Sequence, residues 1–220
     1  MTITDEKIKR DIRDQFDWDS RVDVSDIKVE VSDGRVNLSG KVTGHTAREA
    51  AATIAGAIPG VLTVNNHIAV LYPAHVSIPT DPEILAALMN ALKVSPAIDE
   101  SKIQLSVDKG IVTIKGTVDS LWKMSKVENT AYDVLGVVEV VNELAVVPTT
   151  TLRDEQIAQS IQSAFERNRH IDPDTVTARV VNGKVILSGS QPNWMAHQNV
   201  IDIVRYSPGV NEMVDEIKIS

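Results

Sequence analysis

An α+β fold, an αββαβ module repeated three times, is what this sequence predicts, and three observations predict it. The segment Gly34-Arg35-Val36-Asn37-Leu38-Ser39-Gly40 recurs as Gly110-Ile111-Val112-Thr113-Ile114-Lys115-Gly116 and as Gly183-Lys184-Val185-Ile186-Leu187-Ser188-Gly189. In every copy a Gly-Val pair follows 26 residues after the first glycine: Gly60-Val61, Gly136-Val137 and Gly209-Val210. The apolar positions Ile8, Ile12 and Phe16 reappear at offsets of 76 and then 73 residues as Ile84, Leu88, Leu92 and Ile157, Ile161, Phe165. Independent features sharing one pair of offsets are the mark of a tandem repeat. The modules run over residues 1–73, 74–148 and 149–220.

Each module opens with an amphipathic helix whose apolar residues recur every four positions. Thr4 is placed to cap the first. Asp81 opens the second, with Pro82 near the first helical position, where a missing N–H costs least. Thr151 or Asp154 starts the third. Next come the alternating runs Ile27 to Val31, Ile103 to Val107 and Val176 to Val180, a strand period with one buried face. Asp33-Gly34, Lys109-Gly110 and Asn182-Gly183 supply hairpin turns. The strand then returns through the glycine segment, with Val36 and Leu38, Val112 and Ile114, and Val185 and Leu187 facing in.

A second helix fills the span before Gly60, Gly136 and Gly209, which sit where a helix C-terminal glycine belongs. Its inward sets are Ala51, Ile54, Ala55, Ile58; Val127, Thr130, Ala131, Val134; and Val200, Ile203, Val204, Ser207. The last strand alternates over Val64 to Val70, Val140 to Val146 and Met213 to Ile219. A three-stranded mixed sheet covered on one face by two helices satisfies the whole pattern. Two proline-bearing linkers, with Pro73 and Pro79 and then Pro148, join the modules stiffly.

Charge narrows the partners. The net charge is −8. The modules hold nine basic against eleven acidic residues, six against ten, and seven against nine. None is basic, which excludes nucleic-acid binding driven by phosphate neutralisation. There is no cysteine, hence no disulfide and no thiol chemistry. No apolar run approaches the ~20 residues that span a bilayer, and the N-terminus shows no apolar signal core. The expectation is a soluble cytoplasmic protein, or a periplasmic one had a leader been removed.

The strand Gly34-x-Val36-x-Leu38-x-Gly40, the Gly60-Val61 pair and the closing Val64-Asn65-Asn66 together resemble the BON domain of bacterial osmotically induced and nodulation proteins. Gly110 to Gly116, Gly136-Val137 and Val140-Val141-Asn142 repeat the resemblance. So do Gly183 to Gly189 and Gly209-Val210, with Asp215 in place of the final Asn. The resemblance implies the αββαβ fold and a role at phospholipid or envelope surfaces, often under osmotic or other stress. It implies no catalytic residue and no cofactor. A related family that pairs this domain with a LysM domain is associated with potassium sensing, which implies a small-ion responsive module as one alternative; this chain has no LysM partner.

The side chains themselves add little catalytic chemistry. His45, His67, His75, His170 and His197 have no metal-ligand spacing, and their ordinary reading is as surface or loop imidazoles. Asp17, Asp19, Asp23 and Asp26 lack the central glycine and closing glutamate of a calcium loop and read as a solvated acidic turn. No nucleophile elbow or phosphate loop is present, and the motif glycines read as turn formers. The most informative residues begin the second helix of the later modules: Leu121-Trp122-Lys123-Met124 with Lys126, and Trp194-Met195. Module one has His45-Thr46 there. An aromatic, a methionine and lysines at an exposed tip suit a phospholipid interface or a protein partner. In the other reading each tryptophan folds over its own module or plugs a contact between modules. Trp18, closing the first helix, reads as core packing.

Overall fold

A computed structural model of the chain describes residues 4–72, 76–149 and 152–219. The elements follow in the order α1 (Asp5–Trp18), β1 (Ile27–Ser32), β2 (Arg35–Val42), α2 (His45–Ala57) and β3 (Thr63–Val70), then α3 (Asp81–Lys93), β4 (Ile103–Asp108), β5 (Ile111–Val118), α4 (Leu121–Tyr132) and β6 (Glu139–Val146). The last set is α5 (Asp154–Arg167), β7 (Val176–Val181), β8 (Lys184–Gln191), α6 (Trp194–Arg205) and β9 (Glu212–Ile219). The αββαβ order is therefore realised three times.

Each set builds its own sheet, with the middle strand of the chain segment at the centre: β1-β2-β3, β4-β5-β6 and β7-β8-β9. β1 pairs antiparallel with β2 through the hairpin, and β3 returns parallel to β2 after α2 has crossed over. β4, β5 and β6 repeat that register, with Val112 opposite Val107 and Val140. The hairpin turns need positive φ at both central residues, and they have it: Asp33 at 50° with Gly34 at 71°, and Lys109 at 52° with Gly110 at 76°.

Period two and period 3.6 meet in the cores. Val36 and Leu38, Val112 and Ile114, and Val185 and Leu187 are fully buried, under Ile8, Ile12 and Phe16 and their counterparts. Val22, Ile98 and Ile171, in the loop after the first helix, join them at the same offsets.

Several local expectations are corrected. α3 opens at Asp81 as expected, but its cap is Thr80, whose backbone N–H and hydroxyl both donate to Glu83 Oε2 at 2.8 Å. In α5 the capping position is Arg153, whose N–H donates to Gln156 Oε1 at 3.1 Å, while Thr151, like Pro73 and His75, lies outside the described residues. Thr4 caps α1 as expected.

Trp18 is not core but 87% exposed. It stands two residues beyond Phe16, about 200° round the helix, and so on the solvent face. The second helix buries Ala50, Ala51, Ala55 and Gly56 in the first set, and Ile54 and Ile58 are partly covered and pack against the same core, as expected. In α4 Val127 and Ala131 are buried while Thr130 is half-exposed, its hydroxyl donating to Lys126 O. In α6 the buried residues are Ala196, Val200, Ile201 and Val204, with Ile203 and Ser207 partly covered.

Two glycine roles also differ. Gly60, Gly136 and Gly209 fall three to four residues beyond the helix ends, in the turn entering the last strand, with φ of 92°, 93° and 83°. Gly40, Gly116 and Gly189 form no turn at all. They lie within β2, β5 and β8, and a Cβ on Gly116 would stand 2.0 Å from the Lys102 carbonyl oxygen. What they provide is close backbone approach.

By contacts the chain divides into two compact units. One comprises residues 1–76 with 190–199 and 217–220, and the other 77–189 with 200–216.

Candidate functional site

The tip of α4 is built by the end of β5. Strand β5 ends at Val118, Asp119 and Ser120 turn the chain, and Ser120 sits at the N-cap in extended conformation. Asp119 accepts the Ser120 hydroxyl at 2.9 Å and Lys123 Nζ at 2.7 Å. The lysine so held, one turn into the helix, draws the Asp119 carboxyl below its usual range, assisted by the Ser120 bond. The same ammonium lies 5.6 Å from the centre of the Trp122 ring, within cation–π range.

Of the residues expected at this tip, Lys126 is exposed and Trp122 and Lys123 are half-buried. Met124 instead packs against the module's core, one turn before Val127. The two lysines are thus unequal: Lys123 is committed to Asp119, and Lys126 faces solvent.

Trp194 departs from the exposed tip expected of it. It opens α6 within the first compact unit, where it packs against the core formed by Ile8, Phe16 and Ala55. Its backbone N–H donates to the Val61 carbonyl at 3.3 Å. Its indole lies over Gly56, close enough that a Cβ there would meet ring carbon Cε3 at 2.1 Å. Met195, next to it, remains 37% exposed.

Residues 4–72, 80–148 and 153–220 each match the BON domain. The chain belongs to the BON domain family. It is 31% identical over 124 residues to a protein of Anaplasma centrale described as an uncharacterized protein in the gshII 5′ region, a match covering 54% of this chain and 82% of that one. Among solved structures it is similar to CdsD, a structural protein of the type III secretion system of Chlamydia trachomatis. That match has 12% identity, 96% of this chain and 91% of the other covered, and a TM-score of 0.27. The CdsD C-terminal domain gives 13% identity, 96% coverage of both chains and the same score.

Two polar features of the BON modules have roles that the sequence alone does not reveal. The first residue of each opening helix, Asp5, Asp81 or Asp154, accepts both backbone N–H groups of the hairpin turn, at distances between 2.7 and 3.0 Å. The closing Asn66 and Asn142 each tie the last strand to the second helix, Asn66 Nδ2 donating to Arg48 O at 2.8 Å and Asn142 Nδ2 to Glu128 Oε2 at 3.0 Å. Both sets stand at the repeat offsets, and Asn66 and Asn142 are the residues that close the motif.

The acidic turn is used locally. Asp19 accepts the backbone and side-chain N–H groups of Arg21, and that bonding lowers its pKa to about 2. Asp23 accepts the Ser25 hydroxyl and N–H. Among the described residues no group of three or more His, Asp or Glu side chains converges as a metal ion requires, and no helix is long and apolar enough to cross a membrane.

Proposed function

We propose that this BON protein is a non-catalytic binding protein that meets phospholipid headgroups through the α4 tip, in an osmotic or general stress response. The observation that carries this reading is the pairing of half-buried Trp122 with exposed Lys126 where β5 hands over to α4. An indole at headgroup depth beside an ammonium reaching a phosphate is the chemistry of an interfacial anchor. Family membership supports the same direction, since BON domains are generally non-catalytic and linked to phospholipid surfaces in stress proteins. The net charge of −8 opposes approach to anionic lipid, so binding is weak and salt-sensitive.

The experiment is vesicle sedimentation with neutral and anionic lipids. Trp122→Ala combined with Lys126→Glu abolishes binding while the melting temperature stays nearly unchanged. Normal binding by the double variant would refute the tip.

A second reading, a protein-interaction scaffold, is favoured at one place. Trp194 and Met195 were expected to share the lipid contact, but Trp194 is occupied by Gly56 and Val61. That is how a protein anchor packs. Trp122→Ala losing several degrees of thermal stability would extend the scaffold reading to the α4 tip.

A further inference from the structure

Beside the α4 tip the second module holds a cleft of about 590 Å³, bounded by the loop after α3, the end of β5, the start of α4 and the chain leaving β6. Ile98, Val118, Val147 and Pro148 give it an apolar lining. Two ion pairs line it. Lys102 Nζ lies 3.3 Å from Asp99 Oδ2, and Lys123 Nζ lies 2.7 Å from Asp119 Oδ2. Both carboxyls are held below their usual range, Asp99 chiefly by the Ser101 hydroxyl and then Lys102, Asp119 chiefly by Lys123.

The fold does not require these charges. At the repeat offsets only the aspartate at position 99 is kept, as Asp23 and Asp172, where each caps a turn by accepting the N–H two residues on. Lys102 corresponds to Asp26 and Thr175, Asp119 to Thr43 and Pro192, and Lys123 to Ala47 and Ala196. Three charged side chains have thus been added around one module's cleft; the Lys102–Asp99 pair is exposed and contributes little to stability, and the Lys123–Asp119 pair is partly exposed. Their arrangement fits a ligand. A simple anion entering here would draw the lysines and leave two carboxylates without a countercharge, and a simple cation would do the reverse. A group carrying both charges exchanges partners with both pairs and strands neither.

We propose that this cleft binds a small dipolar group, a phosphate joined by two carbons to a primary ammonium, as in phosphoethanolamine. The phosphate meets Lys102 and Lys123, the ammonium donates to the free lone pairs of Asp99 and Asp119, and any attached glycerol or acyl stem runs along Val147 and Pro148. A choline group, with no N–H to donate, fits worse. The inference deepens the membrane reading and depends on it only for the lipid form of the ligand.

The test uses the full ¹⁵N-labelled chain titrated with free phosphoethanolamine. Saturable shifts are expected at Thr117, Asp119 and Ser120 and not at their counterparts Lys41, Thr43 and Ser190. Lys102→Glu, on a side chain that is 58% exposed, and Lys102→Glu with Lys123→Gln should each weaken binding about 10-fold or more, a loss that 1.4 kcal/mol would account for. The same variants should lose any preference for phosphatidylethanolamine over phosphatidylcholine vesicles. Equal shifts with inorganic phosphate or ethanolamine alone, or unchanged binding by the variants, would overturn the proposal. Vesicle binding with no response to free phosphoethanolamine also overturns the cleft and leaves the membrane reading standing. A response to the free ligand without vesicle binding does the opposite.

Discussion

Asp81 reaches across 29 residues to accept the backbone N–H of Gly110 at 3.0 Å, and that of Lys109 at 2.8 Å. One carboxylate thereby fastens the first turn of α3 to the hairpin between β4 and β5. Asp5 and Asp154 do the same for their modules. Charge-assisted bonds to two N–H groups fix the angle at which the opening helix lies on the sheet, and the carboxylate also sits favourably at the helix N-terminus.

Asp81→Ala should therefore cost about 1–2 kcal/mol. Asp81→Asn should cost less, since its amide oxygen still accepts. Urea denaturation followed through Trp122, which lies in the same module, reads the loss. A variant as stable as the parent would show that the positive-φ turn holds itself.

Much of this architecture was legible because repetition turns one weak pattern into three concordant ones. The inward pairs Val36 and Leu38, Val112 and Ile114, and Val185 and Leu187 were fixed by period two and by the flanking glycines. Trp18 was also legible and was misjudged: its helical phase places it opposite Phe16, and aromatic character does not outweigh phase. Gly116 and its equivalents could not be read as close-approach residues, because the carbonyl that excludes a side chain, Lys102 O, comes from a neighbouring strand's lead-in. The partner of Trp194 was hidden for the same reason. Nothing near Trp194 in sequence indicates that its indole lies on a helix more than a hundred residues earlier, although Gly56 left a trace. Its repeat counterparts are Tyr132 and Arg205.

The turn after α1 carries a pH prediction. Arg21, through its side-chain and backbone N–H bonds, lowers the Asp19 pKa from 3.8 to about 2. A carboxyl whose folded pKa is depressed contributes stability above its unfolded value and loses it as pH falls through the folded one. The contribution of Asp19 should thus be intact above about pH 4 and fade between there and about pH 2. A carboxyl-carbon NMR titration should find Asp19 among the last groups to protonate. Arg21→Ala should return it toward 3.8. An unchanged midpoint in that variant would assign the depression to another cause.

Gly56 and Trp194 allow a test by sign. Glycine inside a helix costs about 1 kcal/mol relative to alanine, so Gly56→Ala at a free site would stabilise α2. Here the added methyl would stand 2.1 Å from the indole. The ring must move off the core of Ile8, Phe16 and Ala55, and the variant should instead lose about 1–3 kcal/mol. The indole emission of Trp194 should shift to the red as water reaches the ring. With Trp194→Ala in place the obstacle is gone, and Gly56→Ala should become neutral or stabilising. The double-mutant cycle then gives a coupling well above the few tenths of a kcal/mol expected of independent sites. If Gly56→Ala stabilises the parent chain as it would a free helix, the indole does not rest there, and the α6 tip is again available to the interface first expected of it.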